Sequence, residues 1–146
     1  AEEDAIVTGT IEKADDNTLT LTTDEGTYTF NTKIAQKVSK DGVKSGVQAD
    51  VTYYGDLEDD TDKPVATKIV TEDAMDSEDA KINTLSGKVA EVGADYVVID
   101  TVDPENTLFT FLGKEGMFDK LKIGDTATII YKGTLTDKTI TATGVK

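Results

Sequence analysis

The chain has 146 residues, with 29 acidic side chains against 15 basic ones, all lysine, for a formal net charge of −14. It contains no histidine and no cysteine, which excludes histidine general bases, Ser-His-Asp triads, thiol nucleophiles and Cys/His zinc sites. The acidic excess argues against a phosphate-binding surface and hence against a nucleic-acid partner, and no apolar run is long enough to predict membrane insertion.

In chain order, period-2 alternation of threonine with aliphatic or aromatic residues predicts strands at 6–13, 17–23 and 26–31. Turn signals at Asp15, Asp16 and Asn17, and at Asp24, Glu25 and Gly26, separate them. Residues 33–38 (KIAQKV) break the alternation and predict a short helical turn, with Ile34 and Val38 closing one end of a barrel. Strands follow at 47–54 and 64–70. The stretch 71–83 is acidic and aperiodic, an extended linker or a short helix. The series then returns, with strands at 84–91, 95–101, 107–112, 125–132 and 138–145. Residues 115–121 (EGMFDKL) form the second helical turn and offer Met117, Phe118 and Leu121 as its plug.

That return is an internal repeat. Residues 7–11 (VTGTI) align with 85–89 (LSGKV) and 19–23 (LTLTT) with 97–101 (VVIDT), both at an offset of 78. The offset becomes 81 at 28–30 (YTF) and 109–111 (FTF), and returns to 78 where 43–55 (VKSGVQADVTYYG) meets 121–133 (LKIGDTATIIYKG). It is 76 where 66–69 (ATKI) meets 142–145 (ATGV). The chain is therefore read as all-β: a first domain at 1–71, an acidic linker at 72–82 and a second domain at 83–146. Each domain is a five-stranded OB-like small β-barrel with a short helical turn between strands three and four. An SH3-like barrel or a small sandwich is the competing architecture.

The alternation assigns the faces. Val7, Ile11, Leu19, Leu21, Tyr28, Phe30, Ala49, Val51 and Tyr53 point inward in the first copy. Leu85, Val89, Val97, Ile99, Phe109, Phe111, Ala127, Ile129 and Tyr131 do so in the second. These aromatics share the parity of the aliphatics, which makes them core rather than base-stacking residues. Gly9 and Gly87 fall inside strands, where a small barrel needs a bulge or a sharp coil. Gly46 and Gly124 are turn residues. The outward positions differ between the copies: Thr18, Thr20, Thr27 and Thr52 in the first are Tyr96, Val98, Leu108 and Ile130 in the second. Tyr96, Val98 and Leu108 lie on neighbouring strands and form an apolar patch to be covered by the first domain, a second chain or a larger parent protein, with Ile130 standing apart.

The run of Gly9 and Ile11, alternating threonines, Tyr28 and Phe30, then 43–51 (VKSGVQADV), resembles the small β-barrel repeats of bacterial cell-surface proteins. The second copy carries the pattern more fully, with Leu121, Lys122, Gly124 and Asp125 at its L-K-x-G-D turn; the first copy has Val47 in place of the aspartate. Such repeats accompany cell-wall-anchored and S-layer-associated proteins and share no catalytic residues. The resemblance implies an extracellular, structural role.

Carboxylates are the remaining chemistry. Asp56, Glu58, Asp59, Asp60 and Asp62 crowd one loop and are candidate Ca²⁺ ligands. Their spacing is not that of an EF-hand, since Thr61 takes the glycine position and Thr67 the bidentate glutamate position, and the second copy keeps one acid there. Short turns leave little cleft for a catalytic carboxylate pair, so no enzyme and no organic cofactor is expected. Two functions compete. One is a non-enzymatic structural module that partners proteins, copies of itself included, in a layer or filament. The other is a module that binds carbohydrate or a cell-wall glycan through Tyr54 and Tyr96. Residues 1–7 or the last strand are candidates for donation to a neighbouring subunit's sheet.

Overall fold

The computed structural model describes residues 5–55, 57, 64–101, 108–133, 135 and 139–145. The chain divides between residues 81 and 82 into two compact units. Strands β1 (Ala5–Ala14), β2 (Thr18–Thr23), β3 (Gly26–Asn31), β4 (Gln36–Val38), β5 (Gln48–Tyr54) and β6 (Val65–Thr71) build the first. Strands β7 (Asn83–Val92), β8 (Tyr96–Asp100), β9 (Leu108–Leu112), β10 (Thr126–Lys132) and β11 (Ile140–Val145) build the second.

Both units wind alike. The first three long strands form an antiparallel meander, and the fourth returns to pair with the first: Val7 opposes Val51, and Leu85 opposes Ile129. The strand after it pairs antiparallel with that fourth strand. The inward residues named above form the core or, as Val7, Tyr28 and Tyr53 do, pack half-buried against it. Ile11, Leu19, Leu21, Phe30, Val51 and Ile69 are buried in one unit; Leu85, Val89, Ile99, Phe111 and Ile129 are buried in the other. Each core holds an equivalent tilted aromatic pair, Phe30–Tyr53 at 5.3 Å and Phe111–Tyr131 at 5.9 Å between ring centroids. Such pairs contribute about 0.5–1.5 kcal/mol beyond their buried area.

The glycines explain the sharp coiling. A Cβ on Gly9 would sit 2.4 Å from the Thr22 carbonyl oxygen, and one on Gly87 would sit 2.7 Å from that of Asp100. Only a bare Cα lets the first strand cross so close to the second. A bulge follows in both, between Ile11 and Lys13 and between Val89 and Glu91. Gly46 and Gly124 adopt φ of 89° and 95° and donate backbone hydrogen bonds to Ile11 and Val89. They are turn residues, as the sequence indicates.

Closure separates the units. In the second, β9 and β11 run parallel, pairing Phe111 with Ile140 and Leu112 with Thr141, and close a five-stranded barrel in the order β10-β11-β9-β8-β7. The first unit is not a second such barrel: it is a six-stranded sheet in the order β3-β2-β1-β5-β6-β4, with one bridge between β3 and β6, Asn31 to Val65. Proline is the physical reason. The offset of 76 sets Pro64 where the second unit has Ile140. Pro64 accepts a hydrogen bond from Asn31 N–H but has no N–H to extend the ladder.

The expected helical turns are also corrected. Residues 36–38 are extended and pair parallel with 68–70 of β6. In the second unit, Met117, Asp119 and Leu121 close successive turns onto Lys114, Gly116 and Phe118, and the Phe118 ring is fully buried. No helix forms at either place. The 3₁₀ turns occur at Glu72–Ala74 and Asp79–Lys81, within the stretch read as a linker. That stretch folds onto the first unit: Gln36 Nε2 and Lys68 Nζ donate to the Asp79 and Ala80 carbonyls, at 3.0 and 2.6 Å. Among the described residues no helix is long and apolar enough to cross a membrane.

Candidate interaction surface

The outward side of β2 and β3 in the first unit is a polar ladder. Thr18 opposes Asn31, Thr20 opposes Thr29 and Thr22 opposes Thr27, with hydroxyl separations of 3.2 Å and 3.4 Å in the last two pairs. In the second unit the same three rungs are Tyr96 opposite Leu112, Val98 opposite Thr110 and Asp100 opposite Leu108. Backbone and register are shared, so the difference lies in the side chains alone. Leu108 and Leu112 are 58% and 46% exposed, and Val98 is half-buried between fully buried Val97 and Ile99. Cross-strand and diagonal neighbours on one face lie within side-chain reach, so Val98, Leu108 and Leu112 share one apolar surface.

Tyr96 has a local role as well. Its hydroxyl donates to Glu91 at 3.0 Å, and that carboxylate pushes the phenol above its ordinary pKa. Its ring lies against Gly93, where a Cβ would be 2.1 Å from Cε1. In the first unit the equivalent turn is held differently. Asp15 accepts hydrogen bonds from the Asn17 and Thr18 N–H groups, which hold its carboxyl below the ordinary range.

Ile130 does not join this surface. It lies on β10, whose neighbours are β7 and β11, and its Cδ1 covers Gly144 at 3.6 Å from where a Cβ would stand. The sequence reading missed Leu112. The signal was present, since Leu112 has the outward parity of Leu108 and aligns with Asn31 at an offset of 81. Past Leu112 the surface runs into a groove of about 540 Å³, lined by Leu112, Gly113, Lys114, Met117 and Ala142 among others.

Other predicted residues stand elsewhere. Asp56, Glu58, Asp59, Asp60 and Asp62 lie outside the described residues. Among the described residues no cluster of three acids capable of holding a metal occurs, and no aspartate or glutamate is buried. Asp73 is structural: it accepts from the Thr71 hydroxyl and from the Lys40 and Asp41 N–H groups, which lower its pKa. Tyr54 and Tyr96 are both half-buried and belong to different units. The ends proposed for donation are paired in the chain itself, Ala5–Val7 with β5 and β11 with β10. A smaller groove of about 250 Å³ beside Ile6 and Met75 is spanned by the Lys68–Ala80 bond, and burial lowers the pKa of that lysine.

Charge divides as the surfaces do. The first unit carries 20 acidic residues and 8 lysines, the second 9 and 7. No protein-family model matches the chain, and no curated protein matches it at a significant level.

Proposed function

We propose that the chain is a non-enzymatic structural and interaction module of a bacterial cell surface, built from OB-like units, that associates with protein partners, copies of itself included, through the outward face of β8 and β9. One observation carries the reading. Where the first unit has buried Thr20, exposed Thr27 and half-buried Asn31, the second has half-buried Val98 and exposed Leu108 and Leu112 on the same backbone. Nothing in the barrel requires those apolar residues, because the first unit holds the same strands together without them. Contiguous exposed apolar surface on an otherwise strongly charged chain marks an interface.

Supporting the OB-like assignment, the second unit has three strands in a meander, the fourth back on the first, and the fifth between the third and fourth. The near balance of charge in the second unit also favours association there, since its approach to an acidic partner costs little repulsion. The cell-surface location rests on the resemblance above and on a threonine-rich, cysteine-free composition.

Sedimentation velocity over a concentration series, with and without Ca²⁺, tests the proposal. The unaltered chain assembles as concentration rises, and Val98→Asp stays folded and monomeric. A chain that remains monomeric at every concentration and with its cell-surface partners absent from pull-downs refutes it, as does a Val98→Asp variant that unfolds.

A further inference from the structure

The outward rungs of the second unit are symmetric about their own centre. Along β9 the outward residues are Leu108, Thr110 and Leu112, and both leucines are exposed. Thr110 is half-buried and pairs with half-buried Val98 on β8. The two leucines therefore stand two residues to either side of the Val98–Thr110 rung. Their neighbours on β8 are Asp100 beside Leu108 and Tyr96 beside Leu112. An isologous interface requires a surface that matches itself after a half-turn, and the leucines of this face do.

Charge selects a second copy as the occupant. The first unit holds 20 acidic residues against 8 lysines, a net −12, and the second holds 9 against 7, a net −2. Of the ways in which units of two copies can meet, second unit on second unit carries the least repulsion. A basic partner is drawn instead to the first unit, where the charge lies and where the same rungs carry Thr20, Thr27 and Asn31.

We infer that the β8–β9 face is a twofold contact with the same face of a second copy of the chain, the axis lying along the Val98–Thr110 rung. This contact rests on the interaction reading for the existence of an interface, and adds its partner and register. A half-turn about the rung lays β9 on β9 with the strand direction reversed. Leu108 then meets Leu112 of the second copy, and Val98 and Thr110 meet themselves. A half-turn about the strand direction would instead lay β9 on β8 and bury the Asp100 carboxylate under Leu108, at a desolvation cost. On β7 the central rung carries Glu91, which the half-turn sets against itself, so the contact is confined to β8 and β9. Two strands of five residues make a face smaller than the about 800 Å² per partner of a standard interface, so the dimer is weak and forms at high protein concentration.

The chain contains no cysteine, so single introduced cysteines report the geometry. Facing sheets stand about 10 Å apart, beyond a direct disulfide, and a short bifunctional thiol reagent spans them. In the full chain, at a concentration where sedimentation detects dimer, Thr110→Cys links to itself. Leu108→Cys links with Leu112→Cys in a mixture of the two but not with itself, because two copies of residue 108 lie at opposite ends of the contact. Adding Leu108→Thr and Leu112→Asn to Thr110→Cys removes the link and leaves the fold intact, since the first unit carries Thr27 and Asn31 at those rungs. A dimer in which Thr110→Cys does not link, or in which Leu108→Cys links with itself as readily as with Leu112→Cys, overturns the inference and leaves the interaction reading standing. A chain that is monomeric at every concentration also overturns it. The interaction reading survives that result where Val98→Asp loses a cell-surface protein that the unaltered chain retains, and falls with it where neither retains one.

Discussion

Replacing three side chains of the second unit by those the first unit carries at the same rungs isolates the interaction face. The variant is Val98→Thr, Leu108→Thr and Leu112→Asn, with Tyr96 left in place because its ring covers Gly93. Full burial of a leucine is worth roughly 1.5–3 kcal/mol. Leu108 and Leu112 still expose 58% and 46% of their surface, so covering that remainder contributes about 1–1.5 kcal/mol each. Half-buried Val98 adds about 0.5 kcal/mol, for a sum of about 2.5–3.5 kcal/mol, or about 60- to 400-fold in Kd per copy of the face. An interface in which both partners present the face loses this twice. The fold itself is indifferent to the change, since Thr20, Thr27 and Asn31 occupy the same register in the first unit. Sedimentation equilibrium measures the Kd, and urea unfolding of the same variant checks stability to within about 1 kcal/mol. Unchanged association refutes the face; a large loss of stability refutes the claim that it is free of structural duty.

Two further outcomes follow from the fold. Gly87→Ala places a methyl group 2.6 Å from Ile99 Cγ2 and 2.7 Å from the Asp100 carbonyl oxygen, and the backbone oxygen cannot retreat without shifting β8. It destabilises the second unit by about 1–3 kcal/mol in urea unfolding. Gly144→Ala meets only Ile130 Cδ1 at 3.6 Å and stays within about 0.5 kcal/mol. Equal effects at the two sites contradict the close-approach argument. Asp73 titrates below its ordinary value because the Thr71 hydroxyl, and then the Lys40 and Asp41 N–H groups, bond to its ionised form. A depressed folded-state pKa stabilises the fold above the ordinary carboxylate value, and the contribution is lost as pH falls through the folded value. The protection of the Lys40 and Asp41 amides relative to their intrinsic exchange therefore falls in acid, and in Asp73→Asn it is low at neutral pH as well; protection that is independent of pH and of the substitution rules this out.

The strands were legible because threonine and aliphatic residues alternate without interruption. Leu19 and Leu21 alternate with Thr18, Thr20 and Thr22, and Val97 and Ile99 with Tyr96 and Val98, so parity picks out the core, although outward Thr20 is buried as well. The connections were less legible. Ile34 and Val38 are four residues apart, which is helical spacing, yet residues 36–38 are extended because the edge of β6 accepts them. That preference belongs to the partner strand, not to the segment. Phe118 looked like the plug it is, but through turns set by Gly116 rather than a helix. The acidic joint looked like a linker because acidity is commonly solvent-facing, and Asp73 instead caps the backbone of 40–41.

The closure of the two units turns on a residue that was in plain view. Pro64 heads β6 where Ile140 heads β11, and a proline at the start of a strand stops the ladder on the side that needs its N–H. With the third-strand contact reduced to Asn31–Val65, the longer connection of the first unit is free to lay β4 on the remaining edge of β6, so that unit covers its own edge. Ile140 lets β9 and β11 close the barrel, the shorter connection folds inward, and among the described residues β9 pairs with β11 only at Ile140 and Thr141. The unit that covers its own edge also carries most of the charge and the threonine ladder; the closed barrel carries the leucines. Those three differences are independent in sequence, arising at Pro64, in the connection length and on the outward rungs. Their agreement is the main support for the proposal that the second unit makes the contacts.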